Sequence, residues 1–447
     1  MSQRARTTAL HLAQRRIASS ATIAFALGCS YLATGTILAG EQCASQWDVT
    51  MGQPGFSTSM INHLVHYDGD IVAGGIFSTA DGLSVNNITR WDGNSWNTVG
   101  DGVSGALKAM TVFDGEVYVG GRFDTASGVQ VNRIARWDGN AWHSVGGGID
   151  NPSLFLEVNA LAEYQGDLIA VGNFQSIGGV AASHIARWDG TSWHAIGTGL
   201  NALGHALFVH EGDLYVGGNF TTAGGVSASR IARWDGTAWH ALGDGVTGSS
   251  APVRAMASYQ GDLIVAGALT TAGGNPANRI ARWDGENWHT LGDGLSGTAE
   301  GLAVFNGELI VGGSGNEAGG ITVNRIARWD GSQWHALDDA CPESPDNGCG
   351  LNSAARTFLE HEGQLIVAGG FTLAGGQDAF RIAAWSGCVQ PTNPADLTGD
   401  GVVDVSDLLS LLAVWGPCPR GAGCVGDITD DGVVDVSDLL LLLASWG

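Results

Sequence analysis

Pairs of tryptophans five residues apart recur along the chain: Trp91 and Trp96, Trp137 and Trp142, Trp188 and Trp193, Trp234 and Trp239, Trp283 and Trp288, Trp329 and Trp334. Each pair sits in a longer unit, of which "RIARWDGTAWHALG" (residues 230–243) is one copy. With Trp385 included, the first tryptophans recur every 46 to 56 residues. A period of this size is that of a small sheet that cannot bury its faces alone, so neighbouring units must stack.

Within one period, "VRAMASYQGDLIVAGAL" alternates apolar and small residues on either side of a two-residue turn, which predicts a hairpin. The turns are Asp68-Gly69, Asp114-Gly115, Gln165-Gly166, Glu211-Gly212, Gln260-Gly261, Asn306-Gly307 and Glu362-Gly363. A longer loop such as "TTAGGVSAS" leads to a third strand, "RIARW", and an Asp-Gly turn leads on to a fourth, "WHALG". Seven four-stranded units closing radially protect nearly all their edges. Trp47 in "SQWDVTMG" has no first partner and Trp385 in "RIAAWSG" no second. The two halves predict one blade shared between the chain ends. The expected fold is all-β: a seven-bladed β-propeller over residues 43–388 with N-/C-terminal strand closure.

The Gly-Gly pairs Gly74-Gly75, Gly120-Gly121, Gly217-Gly218, Gly312-Gly313 and Gly369-Gly370, followed in all but the last copy by an aromatic-Asp step and a tryptophan a few residues on, resemble kelch repeats, the propeller type of the galactose oxidase central domain. WD repeats also end a strand in Trp-Asp, but their Gly-His start is missing here.

The formal net charge is −24 and Lys108 is the only lysine, which excludes a phosphate-tracking nucleic-acid surface. Most arginines occupy two fixed repeat positions and read as partners of the repeat's own carboxylates. His143, His194, His240, His289 and His335 share one repeat position. Equivalent places in a ring lie far apart, so they read as structural rather than as one metal site. Copper-radical chemistry would need tyrosine and histidine ligands brought together, yet Tyr67, Tyr118, Tyr164, Tyr215 and Tyr259 all fall on repeat strands. The expected binding face carries the long connections. The most irregular are "GGGIDNPSLFLEV" (residues 146–158) and "DDACPESPDNGCGLNSAAR" (residues 338–356).

Residues 1–40 place Arg4, Arg6, Arg15 and Arg16 before an uncharged apolar stretch, the pattern of an export signal cleaved near Ala39 or Gly40. The alternative is an uncleaved membrane anchor. Six cysteines follow it, an even number that favours disulfides in an exported chain. Expected pairs are Cys43 with Cys388 at the seam, Cys341 with Cys349, and Cys418 with Cys424.

After a linker at residues 389–395, two near-identical segments begin at Asp396 and Asp427. Each fits an EF-hand-type loop, with side-chain oxygens at loop positions 1, 3, 5, 9 and 12, glycine at 6 and a carbonyl at 7. The first set is Asp396, Thr398, Asp400, the Val402 carbonyl, Asp404 and Asp407; the second is Asp427, Thr429, Asp431, the Val433 carbonyl, Asp435 and Asp438. One apolar helix after each loop, with Asp at position 12, resembles type I dockerin repeats. The resemblance implies a small α-helical module over residues 396–447, two Ca2+ ions, and a cohesin-like partner meeting Val405-Ser406 and Val436-Ser437.

The combined expectation is an exported, non-catalytic propeller that binds an extracellular glycan or protein, anchored or assembled through the calcium module. The alternative is a secreted carbohydrate-active hydrolase or oxidase with its site on the long-loop face. A purely structural surface protein is the third reading.

Overall fold

The computed structural model describes residues 44–446 apart from 54, 58, 152, 154, 338–349, 390–394, 396, 398–402, 404, 418–425 and 430–432. Blade 1 consists of Met60–Tyr67, Asp70–Ile76, Ile88–Trp91 and Trp96–Thr98, hydrogen-bonded in that order. Its first turn has Asp68 at φ 51° and Gly69 at φ 86°, the two left-handed residues that match the twist of a tight hairpin. Blades 2 to 6 repeat the order, with first strands Ala106–Phe113, Glu157–Tyr164, Gly204–His210, Val246–Tyr259 and Ala299–Phe305.

The seventh sheet is shared. Ala355–His361, Gln364–Gly369 and Ile382–Val389 come from the end of the repeat region, and Ala44–Asp48 adds the fourth strand. Trp47 lies opposite Trp385, as Trp96 lies opposite Trp91. An apolar cluster combining Ile61, Trp96, Ile366 and Ile382 fills the space between blades 1 and 7, so the ring is closed.

The second tryptophan of a blade ties it to the preceding one. The indole Nε1 of Trp142 donates to the Val99 carbonyl at 3.0 Å, that of Trp193 to Val145 at 3.0 Å, and that of Trp334 to Leu291 at 3.0 Å. Trp96 reaches Met51 across the seam at 2.9 Å. A buried N–H of this kind calls for an acceptor, but the tie is not made in every blade: Nε1 of Trp47 and of Trp239 is buried without a hydrogen-bond partner.

The Gly-Gly pairs have two separate causes. A Cβ on Gly120 would lie 2.5 Å from Cγ1 of Val158 in the next blade, whereas one on Gly121 would lie 2.2 Å from the Ala106 carbonyl oxygen of its own first strand. The first glycine admits the neighbouring sheet and the second admits an irregular first strand. In blade 7 the pair is displaced: Ala368 pairs with Ile382 as Gly74 pairs with Ile88, so Gly369 alone fills a motif position.

Two sequence expectations need refining. The connection between the second and third strands, read as a loop, contains a small hairpin of its own, as in Thr125–Ala126 with Val129–Gln130. The chain entering that blade bridges to it through Val103 and Ala126. The arginines also divide. Arg136, Arg187, Arg233 and Arg282 pair with Glu116, Asp167, Asp213 and Asp262. The first arginine of the motif sits at positive φ (Arg133 79°, Arg230 65°, Arg381 87°) and caps carbonyls, Arg133 donating to Ser153 at 2.7 Å and Arg381 to Phe371 at 3.2 Å, while Arg133 also pairs with Asp124 at 2.8 Å.

In the tail, α1 (Val405–Ala413) and α2 (Val436–Ala444) meet in one apolar cluster. Its members come in pairs 31 residues apart: Val403 and Val434, Leu408 and Leu439, Leu411 and Leu442. Among the described residues, no helix is long and apolar enough to cross a membrane.

Candidate functional site

Every first strand bulges near its start. The ladder register slips between Ile61 and His63, Leu107 and Ala109, Val158 and Ala160, Gly204 and Ala206, Val253 and Ala255, Ala299 and Gly301, and Ala355 and Thr357. A bulge leaves one residue unpaired and re-aims its side chain. Those residues are Asn62, Lys108, Asn159, His205, Arg254, Glu300 and Arg356, and all seven line one cavity of about 560 Å³. Two residues further along, Leu161, Leu207, Met256, Leu302 and Phe358 give the same cavity an apolar wall.

The strand starts adjoin the long connections, so this mouth opens on the face expected to bind. Both irregular connections deliver to it. The first ends at Glu157, whose carboxylate lies 2.7 Å from Lys108 Nζ and 2.6 Å from Arg122. The second ends at Arg356, while its residues 338–349 lie outside the described residues. Glu157 keeps 11% of its side chain exposed. Burial pushes its carboxyl up, but Lys108 and Arg122 outweigh this and hold it below the usual range.

Among the lining residues three cations (Lys108, Arg254, Arg356) stand against one carboxylate (Glu300), so the mouth is cationic by two charges in a chain of net charge −24. Arg254 pairs with Glu300 at 2.5 Å. Arg356 has no ion-pair or hydrogen-bond partner among the described residues. His63 Nε2–H donates to the Lys108 carbonyl at 2.5 Å, which sets its tautomer. Burial lowers the pKa of His205, Lys108 and Arg254 add to that, and Glu157 opposes it. Its Nε2 is buried without a partner.

The sequence reading did not single out this ring, although a signal was present. The seven residues each stand 29 positions before a first tryptophan, from Asn62 before Trp91 to Arg356 before Trp385. Every copy is polar, and adjacent copies differ. The five repeat histidines lie elsewhere, each bonded to the aspartate of its own turn, as His143 is to Asp138 and His240 to Asp235, both at 2.7 Å.

Of the expected metal ligands, Asp396, Thr398, Asp400, Val402, Asp404 and Asp431 lie outside the described residues. Asp407 and Asp438, the two position-12 acids, are fully buried. Asp438 accepts from the Thr429 N–H at 2.9 Å, the Thr429 hydroxyl at 3.1 Å and the Asp435 N–H at 2.8 Å, so positions 3, 9 and 12 of the second loop converge. Burial raises the Asp438 pKa, but these donors outweigh it and leave the carboxyl below its ordinary value. Arg420 is the only basic residue after Arg381 in the sequence. Among the described residues no group of three or more acidic, histidine or cysteine side chains is placed to hold a metal ion.

A family model described as "Rax2 C-terminal beta propeller domain" matches residues 205–346, and one described as "Domain of unknown function (DUF5122) beta-propeller" matches residues 114–140. No curated protein matches the sequence. Among solved structures, the chain is similar to the WD40 beta propeller domain of Doa1, at 13% identity, TM-score 0.47, and coverage of 76% of this chain and 96% of that one. It is also similar to the computationally designed Ika8 protein, at 14% identity, TM-score 0.43, and coverage of 76% and 99%. For YjhT the values are 13%, 0.37, and 61% and 98%.

Proposed function

We propose that the chain is an exported binding protein: a kelch-like propeller (residues 43–388) takes an extracellular ligand at its channel mouth, and a calcium-binding dockerin-like module (residues 396–447) anchors or assembles it. The observation that carries this reading is the broken symmetry of the bulge ring. The histidine–aspartate pairs of the outer turns repeat from blade to blade, as His143 with Asp138 and His240 with Asp235, whereas Asn62, Lys108, Asn159, His205, Arg254, Glu300 and Arg356 present a varied set to one cavity. A scaffold alone has no use for that variation. A ligand with distinct sides does.

Two Ca2+ ions would be held by Asp396, Thr398, Asp400, Asp404, Asp407 and the Val402 carbonyl, and by Asp427, Thr429, Asp431, Asp435, Asp438 and the Val433 carbonyl. Bound calcium supplies the positive charge that lets these acids sit together. The outer helix faces support a docking role. Val405 and Val436 are 56% and 58% exposed, and Leu409 and Leu440 are both 62% exposed, which leaves a duplicated apolar surface of the kind that marks a protein contact. A cohesin-like partner fits it.

The test is a glycan array probed with the full chain and with a Lys108→Ala, Arg254→Ala variant, beside a glycosidase and oxidase screen. Binding that the variant loses, with no turnover, is the expected result. Turnover of an arrayed glycan would replace the reading with the enzyme alternative.

A further inference from the structure

The channel mouth carries a ligand specificity in its own residues. Resting on the reading of that mouth as a binding site, we propose that it takes a sugar acid, a polyhydroxylated molecule bearing one carboxylate, with Arg356 holding the carboxylate.

Charge selects the sign. Lys108, Arg254 and Arg356 line the cavity against one lining carboxylate, Glu300, with Glu157 and Arg122 paired beside Lys108, so an anion is favoured and a cationic ligand is not. The same two glutamates oppose a compact dianion such as phosphate, because like charges at close range repel. Lys108 and Arg254 are already paired with Glu157 and Glu300. Arg356 is the cation left with its planar fork uncommitted, and that fork matches a carboxylate.

The neutral groups select the rest of the ligand. Asn62 donates its amide to the Leu107 carbonyl at 2.8 Å, and Asn159 donates to that of Gly204 at 2.9 Å. Both residues line the cavity, and with the amide nitrogens engaged, each side-chain carbonyl oxygen is left to accept. Glu300 receives Arg254 on one oxygen and keeps the other as an acceptor. Acceptors in a net-cationic mouth call for neutral donors, and ligand hydroxyls supply them. Beyond this polar tier, Leu207, Met256, Leu302 and Phe358 offer an apolar wall to the C–H face of a sugar ring.

The experiment is isothermal titration of the full chain with D-glucuronate and D-galacturonate, D-glucose and D-galactose, and inorganic phosphate. Arg356→Gln and Arg356→Lys variants are titrated in parallel, with thermal melting as a check on folding. Loss of a charge-assisted bidentate contact predicts that Arg356→Gln binds a uronate about tenfold or more weakly. Arg356→Lys should recover part of that loss, and the neutral sugars and phosphate should bind at least about tenfold more weakly than the uronate. Failure of both uronates to bind, phosphate binding as tightly, or full uronate affinity in a folded Arg356→Gln variant overturns the proposal. A neutral sugar bound equally well and lost on His205→Ala also overturns the acid assignment, while leaving the mouth as the binding site.

Discussion

Trp47 and Trp385 stand opposite each other in the ladder that joins the two ends of the propeller chain, and they are 8% and 2% exposed. Residues 338 positions apart in sequence thus form the same pair that Trp91 and Trp96 form across one turn. Trp47→Ala should therefore act as a core truncation at the seam, costing about 3–5 kcal/mol. Urea unfolding of the variant checks this, and an unchanged midpoint would show that the N-terminal strand is dispensable.

Cys388 lies opposite Ser45 in that ladder, two residues along the chain from Cys43. The side chains of both cysteines, and the pairs Cys341–Cys349 and Cys418–Cys424, fall outside the described residues. Non-reducing peptide mapping should recover Cys43 joined to Cys388. Closing a loop of that length contributes roughly 6 kcal/mol in the chain-entropy model, so mild reduction should lower the melting temperature. Either cysteine found with another partner would refute the pairing.

Gly121 makes room for the bulge that presents Lys108. A Cβ there would lie 2.2 Å from the Ala106 carbonyl oxygen, so Gly121→Val should flatten or shift the bulge, at about 1–3 kcal/mol. Lys108 would then move off Glu157, and array binding should fall more than in Gly69→Ala, where no atom lies within 4 Å of the added Cβ. Equal binding in the two variants would separate the bulge from recognition.

Asp138 accepts from the Ala141 and Asn140 N–H groups and from His143, which together hold its pKa at about 2. Asp284 is lowered in the same direction by Asn287, Glu286 and His289. Both folded values lie below the ~3.9 of an unfolded aspartate. Their contribution is therefore full above that pH and is lost as the pH falls through the folded value. The melting temperature should decline between about pH 4 and pH 2, and an Asp138→Asn, Asp284→Asn variant should show a shallower decline. A slope identical to that of the parent would remove these turns as the source.

Calcium should order the tail. Unneutralised carboxylates at close range repel by about 1 kcal/mol or more per pair, and nine-residue helices such as α1 and α2 fall short of the ~12–15 residues that hold alone in water. In chelator, limited proteolysis of the full chain should remove the tail and spare the propeller. Calcium should protect it, magnesium poorly, and an Asp407→Ala, Asp438→Ala variant should stay cleavable. Equal protection in chelator and in calcium would refute the assignment.

The blade count, the strand order, the hairpin turns and the split seventh blade were all legible in residue order. Each follows from a local rule applied seven times: a two-residue turn with glycine second, a five-residue tryptophan spacing, and a half-motif at each end. The paired leucines of the tail were legible for the same reason, since the 31-residue repeat places Leu411 and Leu442 in equivalent environments. The ring of bulge residues was not. Asn62 and Arg356 lie 294 residues apart, and only ring closure brings them to one cavity. Their aim depends on a bulge, which is a matter of ladder register and not of composition. In the sequence Gly121 is half of a Gly-Gly pair; only the structure puts the Ala106 carbonyl oxygen in the space its side chain would fill. Local periodicity specifies a blade, because each blade is made of neighbours in sequence. The site is made of one residue from every blade, and its charge and shape exist only after the seven are set around a common axis.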